Sequence, residues 1–165
     1  MNALQSILVE TPDGVFNIII DGKGIARASG FGDIDALIKR LPDELQGSSI
    51  EPVGKHPYES FVKAYYTGDK AALAKIPYGQ DGTDFQKSIW REISAIPYGQ
   101  TISYKELARR ADYPDAIRGA GTVCGINRLI LLVPCHRVVK SDGGLGGYLY
   151  GTTIKESLLR REQKA

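Results

Sequence analysis

Leu132-Val133-Pro134-Cys135-His136-Arg137-Val138-Val139 is an apolar run broken in its middle by two chemically reactive side-chain types. The chain of 165 residues holds only two cysteines and two histidines, and one of each stands here side by side. Pro134 fixes its own φ and biases Val133 toward extended backbone, so Cys135 is expected at the exit of a buried strand or turn. Two readings are open at this point. A cysteine in an apolar run is commonly a small core residue. Alternatively, a thiol beside an imidazole is a nucleophile, because only the thiolate attacks and a neighbouring base or positive environment favours it. Leu-Leu-Val before and Val-Val after would suit an unbroken strand, and such a local break in a packing pattern is expected at a working site.

Composition narrows the class. Hydrophobic content of 42% and charged content of 24% are those of a soluble globular protein. No apolar run approaches the roughly 20 residues of a membrane span. The segment beginning Met1-Asn2-Ala3-Leu4 has no basic leader with a long apolar core, so no signal peptide is expected. Two cysteines make no disulfide framework, which points to a reducing compartment, cytoplasmic or, in a eukaryote, nuclear. The net charge of +2 is unevenly spread: residues 1–82 carry eight Lys and Arg against eleven Asp and Glu, net −3, and residues 83–165 carry thirteen against eight, net +5. A basic half that contains Cys135 suits an anionic partner there, nucleic acid included, or is an ordinary solvated surface.

Outward from that stretch, the first half reads as strand-rich. Ile7–Thr11, Val15–Ile20 and Ile25–Ser29 are separated by Pro12-Asp13-Gly14 and Asp21-Gly22-Lys23-Gly24, the pattern of an antiparallel meander. Apolar residues at 34, 37, 38 and 41 predict a helix, 42–55 a loop, and Pro57 through Tyr66 a second helix with Gly68 beyond its end. Residues 69–82 read as a link. In the second half, Thr83 and Gln86 have capping-box spacing ahead of a helix over about 84–95, and Ser103 with Glu106 repeats it. Asp115 is placed to cap a third helix, Ala116–Gly125, whose interior glycines each cost ~1 kcal/mol relative to Ala. Small residues with one long cation, Arg118, after a helix and a short turn suggest either a helix-turn-helix or a tight helix contact inside the protein.

These residues together resemble the O6-alkylguanine-DNA alkyltransferases, the methylated-DNA–protein-cysteine methyltransferases. The resemblance runs through Asp84-Phe85-Gln86, Trp90, Ile96-Pro97-Tyr98-Gly99, Ser103-Tyr104, Arg118-Gly119-Ala120, Asn127 and Val133 to Val138, then Gly147-Tyr148 and Lys155…Leu158-Leu159…Glu162. It covers roughly residues 83–163. It implies an α+β fold: a small N-terminal antiparallel-sheet domain with helices over residues 1–78, and a mostly helical C-terminal domain with a helix-turn-helix over 79–165. It also implies one reaction, in which Cys135 takes the alkyl group from O6-alkylguanine in double-stranded DNA, once and irreversibly. His136 would accept the thiol proton through a water, Glu162 would orient the imidazole, Tyr104 would donate toward the leaving base, and Asn127 would hold the turn before the Cys135 loop. Arg118 would fill the gap left by the flipped base. Lys105, Ser141 and Arg128 would add DNA contacts, and Val138, Cys124, Tyr148, Leu149 and Tyr150 would wall the pocket. The family's usual proline after Asn127 is Arg128 here, and its usual small residues after Tyr148 are Leu149 and Tyr150, expected to narrow the pocket. No cofactor and no metal are expected, because the first half lacks cysteine and His56 alone cannot hold zinc. The chain is expected to act as a monomer without a membrane. The alternatives are a non-catalytic binder of alkylated DNA and a helix-turn-helix regulator without chemistry.

Overall fold

The computed structural model describes residues 3–164. Met1, Asn2 and Ala165, which close the expected domain ranges, lie outside the described residues. The chain divides into two compact units.

The first unit comprises residues up to Gln80 together with Arg128–Leu132. Strands β1 (Ala3–Thr11), β2 (Gly14–Ile20) and β3 (Ala26–Phe31) form the expected meander, and helix α1 (Ile34–Ile38) follows, capped by the Asp33 carboxylate. The expected loop at 42–55 instead contains a 3-10 turn, Asp43–Leu45, and a fourth strand, β4 (Ser49–Pro52). The sheet runs β3-β2-β1-β4, with β4 parallel to β1, so it is mixed rather than wholly antiparallel. Ser49-Ile50-Glu51-Pro52 carries one aliphatic side chain besides its proline, which suits an edge strand, where a missing N–H costs no ladder bond. Leu4, Ile19 and Ala28 of the sheet pack with Leu37, Leu41 and Leu45 on one face. Helix α2 (Pro57–Tyr66) starts with its proline in the first turn, as expected, and His56 caps it by accepting from the Tyr58 N–H at 3.2 Å.

Residues 128–132 join this unit from far along the sequence. Ser29 N–H donates to the Arg128 carbonyl at 2.9 Å, Ile130 N–H donates to the Ser29 carbonyl at 3.2 Å, and the Ser29 hydroxyl donates to the Ile130 carbonyl at 2.7 Å. Leu129 through Leu132 are all buried.

The second unit comprises Asp81–Asn127 and the chain from Val133 onward. Helix α3 (Asp84–Ser94) opens with both bonds of the capping box between Thr83 and Gln86, and buries Ile89, Trp90 and Ile93. Strand β5 (Ile102–Ser103) leads into α4 (Tyr104–Arg110), capped by the Ser103 hydroxyl. A six-residue connection reaches α5 (Ile117–Gly125). Asp115 does not cap α5: the N-cap residue is Ala116, without a side-chain bond. The small residues of α5 serve internal packing in part, since a Cβ at Gly119 would lie 3.3 Å from the Phe85 ring of α3. Trp90 Nε1 donates to the Val123 carbonyl of α5 at 3.3 Å. Strand β6 (Val138–Val139) pairs parallel with β5, and α6 (Thr152–Lys164) closes the unit.

Candidate active site

Pro134 sits at φ −81°, ψ 64°, with Cys135 N–H donating to the Val133 carbonyl at 2.8 Å. That is an inverse γ-turn, a conformation the proline ring favours by holding φ. The apolar run therefore ends in a sharp turn, and Cys135–Arg137 forms one 3-10 turn before β6. Asn127 fixes the turn from the other side. Its buried amide donates to the Val133 carbonyl at 2.9 Å and to Cys135 Sγ at 3.5 Å.

His136 is fully buried, and its Nε2 lies 2.7 Å from Glu162 Oε2 on α6. Glu162 also accepts from Arg137, Nε to Oε1 at 2.7 Å and Nη2 to Oε2 at 3.1 Å, while Arg137 Nη1 donates to the Ile96 carbonyl at 2.8 Å. Burial alone would raise the Glu162 carboxyl, but the bonds from His136 and Arg137 outweigh it and hold the group at about 2. Burial pushes His136 below its ordinary value; Glu162 opposes this, and Arg137 and Lys155 add to it. The imidazole is thus neutral at rest. Facing a carboxylate, its Nε2 carries the hydrogen, which leaves Nδ1 as the basic atom, buried and, among the described residues, without a hydrogen-bond partner.

Cys135 opens onto a pocket of about 990 Å³ in the second unit. Tyr104, Arg118, Cys124, Tyr148 and Leu149 line it as well. Tyr104 is half-buried, and burial followed by the two thiols pushes its phenol up to about 12, so the hydroxyl keeps its proton at neutral pH. A Cβ at Gly146 would lie 2.7 Å from the Tyr104 oxygen, so the glycine loop of residues 143–147 touches that side chain closely. Arg118 is exposed at the pocket edge. Burial pushes the Cys124 thiol up, and Cys135 adds to this while Lys155 opposes it.

Other expected site residues lie elsewhere. Val138 is buried in β6, and Tyr150 packs edge-on to Tyr148, 6.2 Å between ring centroids; neither lines the pocket. Lys105 and Ser141 are exposed and outside the pocket wall. Arg128, expected on DNA, is committed within the first unit: its Nε donates to the Arg40 carbonyl at 2.9 Å and its N–H to Gln80 Oε1 at 3.2 Å. Sequence reasoning assigns no task to two residues of the site. Arg137 holds Glu162 by two bonds, and Lys155 reaches the site from α6. The signal is present in the spacing Lys155, Leu158, Leu159, Glu162, one helical face that carries two charges among leucines.

Such a site can do nucleophilic chemistry: a thiol beside a neutral base that is oriented by a carboxylate, opening on a pocket with a phenolic donor. Comparison with known proteins agrees. Residues 84–164 match the family model of the 6-O-methylguanine DNA methyltransferase DNA-binding domain. The inducible methylated-DNA–protein-cysteine methyltransferase of Bacillus subtilis is 35% identical over 127 residues, covering 77% of this chain and 69% of that protein. The chain belongs to this family. The methylated-DNA–protein-cysteine methyltransferase of Methanosarcina barkeri is 43% identical over 102 residues, 62% of this chain. The chain spans 64% of that relative and 36% of the Salmonella typhimurium regulatory protein Ada, to which it is 38% identical. Among solved structures of the family, that of Mycobacterium tuberculosis OGT in complex with DNA matches with a TM-score of 0.80 and 26% identity, covering 97% of this chain and 93% of that one. Among the described residues, no helix is long and apolar enough to cross a membrane.

Proposed function

We propose that this chain repairs O6-alkylguanine in double-stranded DNA by moving the alkyl group onto its own Cys135. One observation carries the reading: Cys135 opens onto the pocket edged by Arg118, while the adjacent His136 is held by the buried Glu162. The sulfur attacks the alkyl carbon, the S–C bond forms, and the C–O6 bond breaks. The thiol proton passes to His136, whose unpartnered Nδ1 is the available base, through a water between them. Glu162 stabilises the imidazolium that results. Tyr104, which keeps its proton, donates toward the guanine as negative charge develops on it.

The product is a thioether, which no group of the site can reverse, so each molecule acts once. The lesion must leave the base stack at a cost of a few kcal/mol, and Arg118 at the pocket edge is suited to fill the space it vacates. The helix pair α4–α5 is the DNA-reading element, with Lys105 and Ser141 as exposed contacts around it. Similarity to Mycobacterium tuberculosis OGT supports this, since that protein was solved in complex with DNA. Every group the transfer requires comes from one chain, in keeping with a monomer. A free nucleophilic thiol suits a reducing cytoplasm or nucleus.

The test is incubation with a duplex carrying one O6-methylguanine, followed by the intact mass of the protein. A gain of one methyl group, lost in Cys135→Ala while duplex binding persists, is the expected result. Binding without any mass gain in the natural chain overturns the transfer and leaves a non-catalytic binder.

A further inference from the structure

The chemistry above leaves one buried cation without a task. Lys155 on α6 is fully buried, on the helix face it shares with Leu158, Leu159 and Glu162. Removing an ammonium from water costs several kcal/mol unless the charge is compensated. Among the described residues no carboxylate lies within ion-pair distance of it. Its Nζ instead donates to two carbonyls, Val138 at 2.7 Å and Gly147 at 3.1 Å. The two carbonyls engage two of the three N–H groups and leave the positive charge unneutralised.

The two carbonyls are informative in their position. Val138 is three residues beyond Cys135, and Gly147 belongs to the pocket wall. Nζ also lies over the Tyr104 ring, 5.8 Å from its centroid. The titratable groups that act on the ammonium by charge are Cys135 and Cys124; the ammonium acts in turn on His136, and Tyr104 lies beneath it. Burial drives Lys155 below its ordinary value, and the two thiols drive it back up. The interaction is mutual: a charge that the thiolates hold on Lys155 is a charge that favours the thiolates. Of the two sulfurs, Cys135 has an amide donor at 3.5 Å, from Asn127, whereas burial keeps Cys124 protonated.

We propose that Lys155 is a positioning residue whose buried ammonium is the fixed counter-charge of the Cys135 thiolate, and which ties the Gly147 wall of the pocket to the strand that follows the nucleophile. This deepens the alkyl-transfer reading and rests on it for its purpose, but it can be tested without DNA. Carboxamidomethylation of Cys135 by iodoacetamide is followed against pH, with peptide masses separating Cys135 from Cys124. Lys155→Met removes both the charge and the donors, Lys155→Gln keeps a donor without the charge, and Lys155→Arg keeps the charge.

In the Met and Gln variants the midpoint of the pH–rate curve rises by about one unit, with about a tenfold loss of rate at pH 7, as expected for removing one nearby opposite charge. The conservative variant Lys155→Arg restores the midpoint. Unmoved midpoints in folded Met and Gln variants overturn the proposal, whatever happens to overall rate, because a merely structural lysine lowers the amplitude and leaves the titration in place. Should neither neutral variant fold by circular dichroism, the natural protein decides: a Cys135 midpoint no lower in the fold than in the urea-unfolded chain overturns it. Failure of the natural chain to take methyl from a methylated duplex, by contrast, sinks the repair reading and leaves this titration standing.

Discussion

Replacing Glu162 by glutamine tests the site at the group on which most of its bonds converge. Glu162 takes one bond from His136 and two from Arg137, and is almost wholly buried. Its carboxyl is held at about 2. Against an ordinary glutamate value of about 4.3, at about 1.4 kcal/mol per pH unit, the folded state favours the carboxylate by ~3 kcal/mol. The Glu162→Gln variant loses that charge and leaves Arg137 facing a neutral amide. Removing one partner of a buried pair costs a similar amount, about 3–5 kcal/mol. For a chain of this length Tm falls by roughly 6–12 °C for 3 kcal/mol.

The kinetic effect is separate. The substituted amide can still accept from Nε2 and keep the tautomer, but it cannot stabilise the imidazolium. Where a triad carboxylate is neutralised, rate losses reach about 10⁴-fold, in a case where the tautomer also changes; with the tautomer kept, a loss of about 10²-fold is expected. Single-turnover transfer from a methylated duplex, followed by intact mass at a temperature where the variant is folded, measures it. A folded Glu162→Gln chain that transfers within about threefold of the natural rate refutes the assignment of Glu162 to the imidazole.

The remaining predictions concern the same unit. Because the folded value of Glu162 is depressed, its stabilisation is complete above the unfolded value and is lost as pH falls from ~4.3 toward 2; urea titrations of the natural chain and of Glu162→Gln should converge there. Arg118→Ala should slow transfer from duplex about 10- to 100-fold, a flipping cost of a few kcal/mol in part uncompensated, and leave reaction with the free base almost unchanged; equal losses on both contradict the role. Gly146→Ala places a Cβ 2.7 Å from the Tyr104 oxygen at a φ of +76°, so a stability loss of about 1–2 kcal/mol and a slower transfer are expected, measured by thermal melting and single turnover. Leu149 in the pocket wall should make a benzyl adduct react more slowly than a methyl one, and equal rates argue against a narrowed pocket.

Local chemistry is legible in the sequence where local rules decide. Pro57 and Gly68 bracket α2, and Thr83 with Gln86 opens α3 through both bonds of its capping box. Non-local pairing is not legible. β4 has one aliphatic residue besides its proline, and it is a strand only because β1 offers an edge from far earlier in the chain. Asp115 has the composition of a cap, yet the connection after α4 places the helix start one residue later. The Phe85 ring, 3.3 Å from where a Cβ on Gly119 would stand, is a reason for that glycine which only the packing reveals. At the site, Cys135 and His136 are adjacent in the sequence, whereas Glu162 joins them only through the family resemblance, 26 residues on. The commitment of Arg128 is hidden because its partner, the Arg40 carbonyl, is 88 residues away. Lys155 is part of the resemblance but gets no task from the sequence, because a lysine in a helix ordinarily faces water, and only the packing of α6 buries it.

The return of residues 128–132 to the first unit has a consequence for how the chain is made. The backbone passes from the first unit to the second, back again, and then to Cys135, so neither body is a contiguous stretch. During synthesis, β3 waits for Leu129 and Ile130 until much of the second body has already emerged. A fragment beginning near residue 83 would lose the Ser29 bonds to the Arg128 and Ile130 backbone and the β3 bridge at Leu129. In such a fragment the nucleophile's loop would be loose at its upstream root.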